Sequence, residues 1–245
     1  MYFGMSQPNI LHNYKSENFD VRKHKIQFII LHYTETENFH DALRILTSKE
    51  KKVSCHFLID TNGQIYNLVC EKKRAWHAGV SAWEGLKDLN SRSIGIEIVN
   101  PGEMQLKEYP KIQIDQLIDL IISLKKKFKI PSCNILGHSD IAPLRKIDPG
   151  KHFPWEKLYK RKIGMKVKKT DEIGKSLTSN DHKLFLKNIE KIGYSGLVHN
   201  TTCSKNNKII EAFHRHFIPN LIGKKPTETS LSKSTELLKL KTLEF

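Results

Sequence analysis

The chain has 245 residues, enough for one sizeable core, or for a core of about 150 residues with a small appended module. Its 41 Lys and Arg against 26 Asp and Glu give a formal net charge of +15 and a pI near 9.6, a field that concentrates anions and points to nucleic acid, anionic lipid or an acidic wall polymer as partner. No stretch approaches the ~20 apolar residues of a membrane span, and Met1 to Ile10 lacks the apolar core of a signal peptide.

Cys55, Cys70, Cys133 and Cys203 stand too far apart for a zinc knuckle or a redox pair, so free buried thiols are expected. The lysines are dispersed, without interleaved aromatics or a recognisable motif, which argues against nucleic acid as the partner.

In chain order, residues 26–34 (IQFIILHYT) form a short, branched apolar run that predicts a buried strand with His32 at its end. Residues 53–69 predict a hairpin, because VSCHFLID and QIYNLV flank Asn62-Gly63, a strong two-residue turn signal. Residues 93–99 (SIGIEIV) alternate, with Ile94, Ile96 and Ile98 on one face and Ser93, Gly95, Glu97 and Val99 on the other. Glu97 therefore shares its face with small residues.

After Pro110, apolar residues at helical spacing from Ile114 to Phe128 predict a helix, with Lys125, Lys126 and Lys127 where its dipole favours cations. Residues 133–138 (CNILGH) predict another buried strand that again ends in a histidine. Pro143, Pro149 and Pro154 then enforce an irregular loop. Strands alternating with helices indicate an α/β domain with a mixed central sheet, ending near residue 160. A basic linker over 161–178 follows, and residues 179–245 predict a small all-α module: Phe185, Ile189 and Ile192 ahead of Gly193, Ile209 to Phe217 ahead of Pro219, and a third helix after Ser230.

Hydrolysis of an amide near neutral pH needs an activated water, a stabilised oxyanion and a proton for the leaving amine. Catalytic zinc uses three protein ligands and leaves a fourth position for water. His32, His138 and Asp148 make such a set, although a lone histidine after a strand is more often structural. The text around two of them, GHSDIAPLRKIDPGKHFPW over residues 137–155, is specific.

That segment resembles the zinc-binding loop of the amidase type 2 family of N-acetylmuramoyl-L-alanine amidases. ILHYT (30–34), CHFLIDTNGQIY (55–66), RAWHAG (74–79) and SIGIEIVNPG (93–102) follow in the family's order, so the resemblance covers roughly residues 20–160. It implies one Zn2+ held by His32, His138 and Asp148, with Glu97 as acid/base and Lys146 near the reacting carbonyl. It also implies a substrate groove bordered by Trp76, His77, Ala78 and Arg145. A salt-bridged core role is the alternative for Glu97, a solvated lysine for Lys146, and a structural role for Arg145.

The implied activity is hydrolysis of the bond between N-acetylmuramic acid, or its 1,6-anhydro form, and L-alanine of the stem peptide in peptidoglycan or muropeptides. A non-catalytic peptidoglycan-recognition protein is the alternative. The helical segment resembles the peptidoglycan-binding module of some envelope amidases. That favours the cell envelope, while the missing signal peptide favours the cytoplasm; the envelope is the reading taken.

Overall fold

A computed structural model describes residues 8–103, 105, 107–168, 170, 172–199 and 204–243; the first seven residues and Cys203 lie outside them. The strands are β1 (Ile10–Leu11), β2 (Phe19–Val21), β3 (Phe28–Tyr33), β4 (Phe57–Ile59), β5 (Ile65–Asn67), β6 (Lys73–Ala75), β7 (Ala82–Trp83), β8 (Leu86–Lys87), β9 (Ser93–Ile98) and β10 (Ile135–Gly137). The helices are α1 (Phe39–Thr47), α2 (Leu89–Arg92), α3 (Lys111–Phe128), α4 (His138–Ile141), α5 (Trp155–Tyr159), α6 (Ser179–Ile192), α7 (Ser204–Phe217) and α8 (Glu228–Leu243).

Six strands form the central sheet in the order β1-β5-β4-β9-β3-β10. Only the β4–β5 hairpin is antiparallel, and β4, β9, β3 and β10 run parallel. The hairpin is shorter than its sequence suggested, pairing Ile59 with Ile65 across the Asn62-Gly63 turn, where Gly63 takes φ +85°. The expected strand ending in His138 stops at Gly137, because His138 already opens the one-turn helix α4.

The period of two sorts β3 between two cores. Ile29 and Leu31 join Ile94, Ile96 and Ile98 of β9 against Ile114, Leu117, Ile118 and Ile121 of α3 and Trp155 of α5. α3 ends where Lys129 turns left-handed and its N–H caps the Lys125 carbonyl, with three lysines in the last turn. Phe28 and Ile30 face the other way, into a core shared with Phe185, Ile189, Ile209 and Phe213 of α6 and α7.

The C-terminal helices therefore form a layer on the sheet. Thr178 caps α6 by accepting from the Asp181 N–H, and α8 begins two residues before Ser230. The linker is anchored too: Ile163, Met165 and Val167 are buried, the last two in the shared core. Cys55 and Cys133 are buried as expected, whereas Cys70 is exposed, because it lies in the turn between β5 and β6.

Candidate metal centre and active site

The parallel register assembles the site. His32 pairs with Glu97 across β3 and β9, so both side chains rise from the same face at the carboxyl edge of the sheet. Gly137 pairs with Leu31, which puts His138, the next residue, beside His32. Asp148 arrives from the proline-containing loop, where the Ser139 N–H donates to its carbonyl at 2.9 Å.

The three ligand atoms close a triangle. His32 Nδ1 stands 3.0 Å from His138 Nδ1, and Asp148 Oδ2 stands 2.9 and 3.0 Å from the two nitrogens. These are the donors that His32, His138 and Asp148 offer to a metal ion, and all three residues are buried.

The outer nitrogens of the two rings decide what faces inward. His138 Nε2 lies 3.2 Å from both the Ala78 carbonyl and Arg145 Nη2, and the tautomer that donates to the carbonyl turns the Nδ1 lone pair to the triangle. His32 Nε2 lies 3.1 Å from His77 Nδ1, and His77 Nε2 lies 3.2 Å from Ser93 Oγ, which donates to the Leu89 carbonyl. A single direction satisfies that chain: His32 donates to His77, His77 to Ser93, and Ser93 to the backbone. His32 Nδ1 is then bare as well. Two lone pairs and a carboxylate oxygen within 3.0 Å of one another are relieved by a cation, and ligands about 2.0–2.1 Å from a tetrahedral zinc would stand about 3.3 Å apart, so the set fits the ion.

The shift at His32 agrees with this assignment. Burial and the neighbouring His138 push the His32 pKa down to about 4, against the pull of Asp148, so the ring is neutral at physiological pH. Burial raises the Asp148 carboxyl, but His138 and His32 beside it outweigh that and hold it well below the usual carboxylate range. Burial drives Glu97 well above its ordinary value, Asp148 adds to the rise, and Lys146 opposes it. Glu97 Oε2 is buried without a hydrogen-bond partner. A carboxyl so placed is poised to exchange a proton with whatever enters the cleft.

A cavity of about 420 Å3 opens over these groups. Its walls include Trp76, Ser54 and Leu46 on the α1 side, and Arg145, Lys146 and Ile147 on the other. Trp76 offers a partly exposed indole to the cleft, and Lys146 is exposed at its rim.

Two expected groove residues also carry structural roles. Ala78 has no exposed surface and contributes its carbonyl, and His77, 8% exposed at the cavity floor, spends both ring nitrogens on the chain behind His32. Its burial follows from the packing, since the Asn90 carboxamide accepts the backbone N–H of both residues. Arg145 is tied to the Ala78 and Val80 carbonyls, bracing the 76–80 loop at the cavity edge.

Sequence reasoning missed Gly95 and Asp140. A Cβ at Gly95 would stand 2.3 Å from His77 Cγ, so the small residues flanking Glu97 make room for His77. Asp140, fully buried, accepts from the Gly137 N–H at 2.7 Å and from Tyr194 Oη at 2.6 Å, and pairs with His216 Nδ1 at 2.8 Å. It thereby ties the turn carrying His138 to the C-terminal helices.

Two imidazoles and a carboxylate converging near parallel strand ends, beside a half-buried glutamate in an open cleft, are the parts of a metal-dependent hydrolase. The N-acetylmuramoyl-L-alanine amidase profile matches residues 22–151, and the chain belongs to that family. It is 34% identical over 224 residues to the N-acetylmuramoyl-L-alanine amidase AmiD of Escherichia coli, covering 84% of this chain and 80% of that one. The solved complex of E. coli AmiD with anhydro-N-acetylmuramic acid-L-Ala-D-gamma-Glu-L-Lys superposes with a TM-score of 0.79 at 29% identity, covering 92% of this chain and 94% of the other. The 1,6-anhydro-N-acetylmuramyl-L-alanine amidase AmpD of Haemophilus influenzae is 41% identical over 108 residues, 44% of this chain and 58% of that protein.

Proposed function

We propose that this chain is a zinc-dependent N-acetylmuramoyl-L-alanine amidase that separates N-acetylmuramic acid, or its 1,6-anhydro form, from L-alanine of the stem peptide. The carrying observation is the triangle of inward ligand atoms with Glu97 one strand away in the same cleft.

His32, His138 and Asp148 would hold the zinc, which when bound supplies Lewis acidity to a carbonyl and lowers the pKa of water. Glu97 takes the proton of the attacking water and returns it to the leaving alanine amine, a role its buried, unpartnered oxygen supports. Lys146, at the cleft rim and close enough to influence both Glu97 and His32, faces the developing oxyanion. Trp76 offers a flat surface for sugar or peptide, while Arg145, His77 and Ala78 shape the groove by holding its wall and floor.

No helix among the described residues is long and apolar enough to cross a membrane. The envelope is the compartment we assign, supported by the net charge of +15 against an acidic wall. The proposed division is a catalytic domain to residue 160, a linker over 161–178 and a helical module over 179–245 whose helices share a core with the sheet.

The test is mass spectrometry of a muropeptide digest by the purified protein with zinc, after chelation, and with His138→Ala and Glu97→Ala. Free stem peptide beginning at L-alanine should appear only with zinc and the native residues, and Glu97→Ala should keep zinc while losing turnover. Binding without cleavage by the zinc-loaded protein would replace the amidase with a recognition protein.

A further inference from the structure

A second groove, of about 240 Å3, lies beside the cleft between the 143–147 loop and α7. It shares Arg145, Lys146 and Ile147 as lining residues with the cleft over the metal centre, so the two spaces adjoin along this loop. α7 of the helical module supplies the far wall through Lys208, Glu211 and Arg215.

The charges of this groove are unevenly committed. Arg215 is buried and paired with Glu211 at 2.9 Å and Glu103 at 3.2 Å. Arg145 is engaged with the carbonyls of the 76–80 loop. Lys208 is exposed, touches only the Leu144 carbonyl, at 3.3 Å, and enters none of the ion pairs among the described residues. Exposed Leu144 and Ile147, each 42% accessible, add an apolar lip beside it.

The opposite end of the cleft differs. Towards α1 and Trp76 it is lined by apolar and hydroxyl side chains, and Glu35 is the one charged lining residue there among the described residues. The cleft is thus polarised, neutral to acidic at the Trp76 end and cationic at the α7 end. The substrate of the proposed reaction is polarised in the same sense: an anhydro sugar is uncharged, whereas in a stem peptide that continues through D-γ-Glu to L-Lys the free carboxylates outnumber the L-Lys ammonium.

We infer that α7 is part of the substrate site, with Lys208 receiving a carboxylate of the stem peptide in the groove against the 143–147 loop, while the sugar lies towards Trp76. The inference rests on the amidase reading. It makes the helical module a determinant of specificity in the cleft itself, and Lys208 a binding residue set on an element remote in sequence from the metal ligands.

The experiment compares kcat/KM for anhydro-N-acetylmuramic acid-L-Ala-D-γ-Glu-L-Lys with that for two analogues, one a carboxamide at the D-γ-Glu α-carboxyl and one at the L-Lys terminus. The enzymes are wild type, Lys208→Gln and Lys208→Glu, each at low and high KCl, with thermal melting to check the fold. Wild type should favour the free acid over one of the carboxamides by about fivefold, the upper range for one exposed ion pair, and the preference should shrink with salt. Lys208→Gln should bring that ratio near one, and Lys208→Glu should invert it. Wild-type cleavage without any preference, or a preference that survives both substitutions, overturns the inference and leaves the amidase standing. Failure of wild type to cleave any of the three removes the amidase reading, and this inference with it.

Discussion

The chain of hydrogen bonds behind His32 gives a quantitative handle on the metal centre. Replacing His77 by Ala removes the acceptor for His32 Nε2, 3.1 Å away, and leaves a buried N–H unsatisfied. Such a group costs about 1–3 kcal/mol. Loss of an outer partner of a metal-bound histidine weakens metal affinity about 10- to 100-fold, which is about 1.4–2.7 kcal/mol and agrees with the first figure.

Gly95→Ala probes the same contact while leaving every histidine in place. The new Cβ would meet three ring atoms of His77 at 2.3 to 2.6 Å, so the imidazole must withdraw by about 1 Å to reach ordinary contact and pulls away from His32. Both variants should therefore lose zinc affinity by similar factors, measured by competition against a chromophoric chelator at pH 7.5, with far-UV circular dichroism reporting the fold. Wild-type zinc affinity in a folded His77→Ala protein would refute the view that this chain orients His32.

The metal-free protein should lose stability in acid. Burial lowers the pKa of His56 to about 3 and of His214 to about 4, whereas the unfolded chain takes up these protons near 6.5. Their contribution is thus complete above about pH 6.5 and is lost as pH falls through 6.5 to 4, at up to about 1.4 kcal/mol per pH unit for each ring. Urea unfolding in chelator across pH 4–7 should show that slope, and His214→Asn, whose amide can still donate to the Leu221 carbonyl, should flatten it by about one proton; an unchanged slope would contradict the assignment. Tyr194→Phe should destabilise by about 2 kcal/mol, since it removes a hydrogen bond to the buried Asp140 carboxylate. The melting temperature should fall by about 4–8 °C, and a fall of under 1 °C would mean that the helical module does not grip the His138 turn through Asp140.

Much of this molecule is written in local pattern. Alternation in SIGIEI, the heavy apolar content of QFIILHY, the Asn-Gly turn and the periodic spacing from Ile114 to Phe128 each report which face of one element is buried, and β9, β3, the hairpin and α3 form accordingly. The GHSDIAPLRKIDPG text likewise marked His138, Lys146 and Asp148, and the described residues bring His138 and Asp148 together with His32 across a separation of 106 residues.

What the sequence could not settle is which faces meet. The roles of His77 and Gly95 depend on β9 lying beside β3 in one register, which brings an imaginary Cβ at Gly95 into the ring of a residue 18 positions earlier. The same holds for the module. The amphipathic pattern of α6 and α7 demands a covering surface without naming it, and only the tertiary structure shows Phe28 and Ile30 beneath them. That docking carries Tyr194 and His216 to Asp140, and Lys208 to the rim of the cleft. Periodicity is a property of one segment, whereas the choice of partner is a free-energy comparison over the whole chain, so it becomes legible only once the chain has folded.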